Sequence, residues 1–263
     1  QFLQQETEQR DSVCYHKKTG KRIPVLMPVH VLGNMTDMDR LLNLANQYRL
    51  TVIEDSTEAL GSFYKGKHAG SFGKMGTFSY NGNKIITTGG GGMIVTDDES
   101  LAKRAKHLTT QAKSDPFEYL HDEIGYNYRL VNVSAAMGVA QMEQLPGFLT
   151  RKRHIISFYK QALSGYDDIR FQEILEGVEP NWWMPTLFSE KQRLLLQRLN
   201  DAKLQSRPFW VPMNQLPMFR DCIYVQQNDR SAFLYNHCLS IPCSTYITDE
   251  DMQRVVDEIR ACL

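Results

Sequence analysis

Residues 24–55 read PVLMPVHVLGNMTDMDRLLNLANQYRLTVIED, and this stretch decides the fold. Pro24 to His30 is an apolar run of strand character, broken at Gly33-Asn34. Thr36, with Asp39 three residues on, predicts a capping box. Met38, Leu41, Leu42, Ala45 and Tyr48 then recur at helical spacing on one face. Leu50 to Ile53 predicts a second, buried strand that ends at Glu54-Asp55. Strand, helix and strand over this length make a βαβ unit, so the two strands lie parallel with a right-handed crossover. Sheets of this kind take ligands beyond the carboxyl ends of their strands, where Asp55 stands.

Downstream, Gly76-Thr-Phe-Ser-Tyr-Asn-Gly-Asn-Lys84 reads as a strand ending at Ser79, a turn, and one lysine. Ile85-Ile-Thr-Thr88 and the glycines Gly89 to Gly92 follow, before a further strand over Met93-Ile-Val-Thr96. Glycine lets backbone approach a bound group closely, so a lysine beside it can be held against a ligand. Gly125-Tyr-Asn-Tyr-Arg129 reads as a loop leading into a helix capped by Ser134 and ended by Leu145-Pro146-Gly147. A basic amphipathic helix, Arg151 to Leu163, comes next. Tyr64 to Gly70 reads as a surface turn with His68 exposed, and Thr248 with Asp251 as the cap of the last helix.

Together these segments resemble the DegT/StrS family of pyridoxal-phosphate-dependent nucleotide-sugar aminotransferases. The match rests on Glu54-Asp55-Ser-Thr-Glu-Ala59, Ser79 five residues before Lys84, Thr87-Thr88-Gly89, and Asn127 with Arg129. It runs from about residue 24 to the end. The resemblance implies the fold-type I α/β architecture: a mixed, mostly parallel sheet with flanking helices, and a smaller C-terminal α+β domain. It implies that Lys84 binds pyridoxal 5'-phosphate covalently, that Asp55 pairs with the cofactor's ring nitrogen, and that Ser79 bonds its phosphate. Asn127 is implied to reach the phosphate of a partner's cofactor, hence a homodimer with a shared site. Arg129 and Arg207, the latter in Arg207-Pro-Phe-Trp-Val-Pro212, are implied substrate contacts.

Glu58 stands where the family more often carries glutamine, near the cofactor's phenolic oxygen. A charged carboxylate there repels a phenolate, so Glu58 is protonated, reoriented or bonded elsewhere. Gly90 stands where most of the family carries glutamate. The Asn81-Gly82-Asn83-Lys84 form is most similar to the branch that aminates the 4-keto carbon of a UDP-linked 6-deoxy-N-acetyl sugar, with glutamate as the expected donor. Amination at a 3-keto carbon stays open, as does an inactive fragment or a regulatory relative. Lys84 argues against the family's dehydratases, which carry histidine at that position.

Composition sets the outer limits. In 263 residues, 30 basic and 30 acidic side chains cancel, so no global field points to nucleic acid or to an anionic membrane. No apolar run is long enough to span a bilayer, and no secretory leader is expected. The five cysteines are scattered without CxxC spacing, so no metal site is expected and a reducing cytoplasm is the simplest setting. We expect residues 1–147 to belong to the cofactor-binding domain and 148–263 to the smaller one, with Trp182-Trp183 in the latter. The start at Gln1 and the missing first phosphate loop suggest an N-terminally truncated chain.

Overall fold

A computed structural model describes residues 1–115 and 117–263. The chain forms two compact units, residues 1–148 with 174–183, and residues 149–173 with 184–263. The second break therefore falls where the polypeptide returns to the first unit for ten residues and brings Trp183 with it.

The first unit is organised on a four-stranded sheet in the order Val25–Leu26, Thr51–Asp55, Met75–Ser79, Gly92–Val95. The first three strands run parallel, with Val25 opposite Thr51 and Ile53 opposite Met75; the last is antiparallel, with Ser79 opposite Gly92. The sheet is thus mixed and mostly parallel. Only Val25–Leu26 of the run Pro24–His30 pairs continuously, because Pro24 and Pro28 have no N–H to give a ladder. Val29 adds a single parallel bridge to Asp55. Gly76 is required by close approach, since a Cβ there would lie 2.1 Å from the Gly70 carbonyl oxygen.

The crossover helix is Met38–Tyr48. Its N-cap is Asp37, whose carboxylate accepts from the Arg40 N–H at 3.0 Å, and not Thr36. One residue decides this: Asp37 stands three positions before that N–H, the ordinary N-cap reach. Met38 and Ala45 are buried, and Ala45 packs with Cys14, Leu50 and Val52. His68 is half-buried rather than exposed: its Nε2 accepts from the Gly61 N–H, and its ring packs on Phe63 and Phe78.

One further expectation is corrected. The helix that begins at Asn132 is not capped at Ser134 and does not stop at Pro146; it runs unbroken to Ala162. An internal proline costs on the order of 3 kcal/mol. Beyond it, burial of Ile155 and Tyr159 and a bond from Tyr159 Oη to the Pro242 carbonyl oxygen at 2.8 Å offset that cost. On the helix Glu99–Thr109, Arg104 and His107 pair at the surface with Glu123 and Asp122.

The second unit carries an antiparallel sheet in the order Arg170–Phe171, Thr186–Phe188, Cys238–Ser240, Arg207–Pro208. Helices Gln192–Asp201 and Asp249–Arg260 pack on it through Leu195, Leu199, Val255 and Ile259, all fully buried. Thr248 caps the last helix, its hydroxyl accepting from the Asp251 N–H at 3.1 Å.

Candidate active site

The site forms where two parallel strands end side by side. Asp55 closes Thr51–Asp55, and Ser79 closes Met75–Ser79. Beneath them Glu54 is wholly buried. Its carboxylate accepts from the backbone N–H groups of Gly70, Phe72 and Gly73 at 2.8, 2.6 and 2.7 Å, and pairs with His30 Nε2 at 3.0 Å. Burial alone raises its proton affinity, but these four partners outweigh burial and hold the carboxyl below its usual range. Glu54 thereby ties the 70–73 loop and His30 to the strand end.

After Ser79 the chain makes a closed loop. Thr88 N–H donates to the Tyr80 carbonyl at 3.0 Å, Tyr80 N–H to the Gly91 carbonyl at 3.0 Å, and Lys84 N–H to the Asn81 carbonyl at 3.0 Å. Ile85 and Ile86 are buried and anchor this loop, which fixes where Lys84 leaves it. The Lys84 side chain is 13% exposed, and its Nζ lies 3.7 Å from Glu58 Oε1. The same Nζ lies 4.1 Å from the centroid of the Trp183 ring.

Glu58 is held on both sides. Its Oε2 accepts from the Leu32 N–H at 2.7 Å, and Leu32 adopts a left-handed conformation (φ 60°, ψ 19°) to present that N–H. Burial and the Asp55 charge raise the Glu58 proton affinity; the Leu32 N–H and the Lys84 ammonium oppose them, and the net direction is upward. Glu58 therefore stands within electrostatic reach of both Asp55 and Lys84. Of the alternatives left open for Glu58, the structure shows it bonded to Leu32 and paired with the lysine.

Ser79 Oγ accepts from the Asn81 N–H at 3.3 Å, and Asp55 Oδ1 from the Thr57 N–H at 3.2 Å. Asn127 lies elsewhere, on the exposed loop before the long helix, where it bridges to Thr110. Among the described residues no hydrogen bond or ion pair joins Asn127 or Arg129 to Lys84, Asp55 or Ser79. Arg207 is exposed on the strand Arg207–Pro208 of the second unit.

Sequence reasoning missed Trp183, Asn181 and the Leu32 N–H. Asn181 Nδ2 donates to the carbonyls of Glu58 and Leu60 at 2.8 and 2.9 Å, and its Oδ1 accepts from the Trp183 N–H at 2.9 Å. Asparagine followed by two tryptophans was the signal present, but nothing local ties that run to residues a hundred positions earlier.

The profile of the DegT/DnrJ/EryC1/StrS aminotransferase family matches residues 13–260. EpsN of Bacillus subtilis (strain 168), provisionally described as a pyridoxal phosphate-dependent aminotransferase, is 37% identical over 248 residues, 92% of this chain and 64% of its own length. GDP-perosamine synthase of Escherichia coli O157:H7 is 38% identical over 219 residues, 82% of this chain and 60% of its own. Among solved structures, DesV of S. venezuelae superposes with a TM-score of 0.83 at 26% identity, over 91% of this chain and 65% of that one. The chain spans a little under two thirds of the length of each. With a match across nearly all of its own length, the chain belongs to the DegT/DnrJ/EryC1/StrS aminotransferase family and shares its fold-type I α/β architecture.

Proposed function

We propose that this protein is a pyridoxal phosphate-dependent aminotransferase that moves an amino group, with glutamate as donor, onto a keto carbon of a nucleotide-linked 6-deoxy sugar. The observation that carries the reading is the Lys84 amine, enclosed at the strand ends with Glu58 3.7 Å away and Asp55 close enough to act on Glu58. A single lysine inside a carboxylate-lined pocket, rather than on the surface, is the arrangement a covalent amine needs.

The residues present fit the cofactor. Lys84 offers a primary amine for an aldehyde, Asp55 a carboxylate for a ring nitrogen, and Ser79 a hydroxyl for a phosphate. A Cβ built on Gly89 or Gly90 meets nothing within 4 Å, so the backbone after the lysine borders open space. Bound pyridoxal phosphate supplies an aldehyde and an electron-accepting ring. Asp55 would face that ring's nitrogen and favour its protonated form, because a nearby carboxylate favours the charged form. Lys84 Nζ is the base that takes the proton from the donor's Cα. Glu58, bonded to Leu32 and paired with Lys84, would stand beside the lysine nitrogen and, with it, near the phenolic oxygen of bound cofactor.

The acceptor in this reading is a 4-keto sugar. The Asn81–Lys84 resemblance favours a UDP carrier, and the perosamine synthase relative favours GDP. Arg129 and Arg207 bind the acceptor. A homodimer completes the site, with Asn127 serving the cofactor of the other copy. Support comes from the run that carries Asn127: Ile124, Tyr128, Val131 and Val133 are 83, 72, 64 and 78% exposed, apolar side chains that an interface would cover. The setting in this reading is a reducing cytoplasm, on the scattered spacing of the five cysteines.

The test is transfer itself. Protein, pyridoxal phosphate and glutamate, supplied with UDP- or GDP-linked 4-keto-6-deoxy sugar, should yield an amino sugar whose substituted carbon is read by NMR. Lys84→Ala should yield none; transfer at the normal rate by that variant refutes the reading.

A further inference from the structure

The ring of Trp183 stands against the one amine the proposed reaction depends on, and nothing in that reading uses it. We propose that Trp183 is a positioning residue: its indole face and the Glu58 carboxylate hold Lys84 between them, and so set how readily the amine meets an incoming aldehyde. This rests on Lys84 being the cofactor lysine, although the contact itself does not.

The indole is fixed by several groups at once. It is 3% exposed. Its Nε1 donates to the carbonyl of Asn83 at 2.7 Å, the residue just before Lys84, so ring and lysine share one backbone anchor. Its own N–H donates to Asn181 Oδ1, and the preceding Trp182 takes a left-handed φ of 54° to turn the chain there. Asn181 in turn bonds the carbonyl of Glu58. Both walls of the cradle therefore hang on one amide, that of Asn181, which is itself 1% exposed. Gly33 admits that amide: a Cβ on it would lie 1.8 Å from Asn181 Oδ1. The opposite wall is pinned by Leu32, so neither wall is free to rotate away.

A cation over an indole face is attracted by the ring's quadrupole, and Trp is the best of the aromatic side chains for this. An amine held in one place loses less freedom when it reacts, which is how positioning contributes to rate. Trp183→Phe keeps a ring face and gives up the Nε1 bond; Trp183→Leu keeps bulk and gives up the face.

Two measurements decide the matter. In cofactor-free protein, Lys84→Met removes the ammonium from the ring. The tryptophan emission should change, and the same substitution in a Trp183→Phe background should leave it unchanged, although Trp182 and Trp210 still emit. On adding pyridoxal phosphate, the second-order rate of covalent attachment by the neutral amine, followed by visible absorbance and corrected for amine protonation from its pH profile, should fall about tenfold in Trp183→Leu and should be largely kept by Trp183→Phe. An emission indifferent to Lys84, or attachment by Trp183→Leu at the normal rate, overturns the proposal. If Trp183→Leu does not fold, the emission of Lys84→Met decides alone. Wild-type protein that takes up no pyridoxal phosphate at all refutes the proposed function and leaves the emission result standing.

Discussion

Gly33→Ala is the substitution whose cost can be worked out most fully from the structure. Gly33 has φ +76°, a conformation that costs an L-residue roughly 1–2 kcal/mol. The added methyl would also sit 1.8 Å from Asn181 Oδ1 and 2.6 Å from its Cγ, within a buried side chain and not at a flexible tip. Asn181 must move, and with it go the bonds from Nδ2 to Glu58 and Leu60 and from the Trp183 N–H to Oδ1. Each such bond contributes about 1 kcal/mol net. The sum is about 4–5 kcal/mol, a large part of the roughly 5–15 kcal/mol by which a domain is stable. Urea unfolding followed by circular dichroism would read it as a lower midpoint at unchanged slope. A double-mutant cycle separates the two causes. Asn181→Ala loses the bonds and removes the two closest contacts, leaving the Glu58 carbonyl oxygen 3.0 Å from the added methyl, so Gly33→Ala placed on it should cost chiefly the backbone part, about 1–2 kcal/mol. If Gly33→Ala costs under about 1 kcal/mol, or costs as much with Asn181 removed as with it present, the clamp is wrong.

The other predictions concern charge and capping. Glu54 has a lowered folded-state pKa, so its stabilisation is full above the ordinary carboxylate pKa and is lost as pH falls through the folded value. Glu54→Gln should therefore lower the unfolding free energy at pH 7 by about 3 kcal/mol, read as a lower urea midpoint, and flatten the acid limb of the stability curve. Glu58 has the opposite sign: its raised pKa gives stability below the ordinary carboxylate pKa that is lost as pH rises through the folded value. Glu58→Gln should gain on the wild type as pH climbs from 4 to 8 in the same assay, and a constant difference would contradict that. Thr248→Ala removes the cap of the last helix and should cost about 1 kcal/mol in thermal or urea unfolding.

Much of the scaffold was legible before any coordinates, for a definite reason. The βαβ unit over 24–55 shows itself in local periodicity, and so do the strand ending at Ser79 and the last helix. Cap choice between neighbours was not legible, because Thr36 and Asp37 both have side chains that can cap and the backbone decides. The helix through Pro146 reversed a local rule because its far half buries Ile155 and Tyr159, a gain that the residues around the proline do not encode. In the candidate site, Lys84, Asp55 and Ser79 sit in short motifs. Their supports come from Leu32 and from Asn181 and Trp183, brought in by the 174–183 segment across a long sequence separation. Glu58 illustrates the limit: its residue type raised the question of a charge beside the site, and only the positions of Leu32 N–H and Lys84 Nζ answered it.

The claim that Lys84 is the covalent amine is tested most directly by trapping. The protein would be incubated with pyridoxal phosphate, reduced with borohydride, digested, and the modified peptide identified by mass spectrometry. The account predicts the cofactor mass on Lys84 and on no other lysine. Labelling of a different lysine, or none at saturating cofactor, would contradict it.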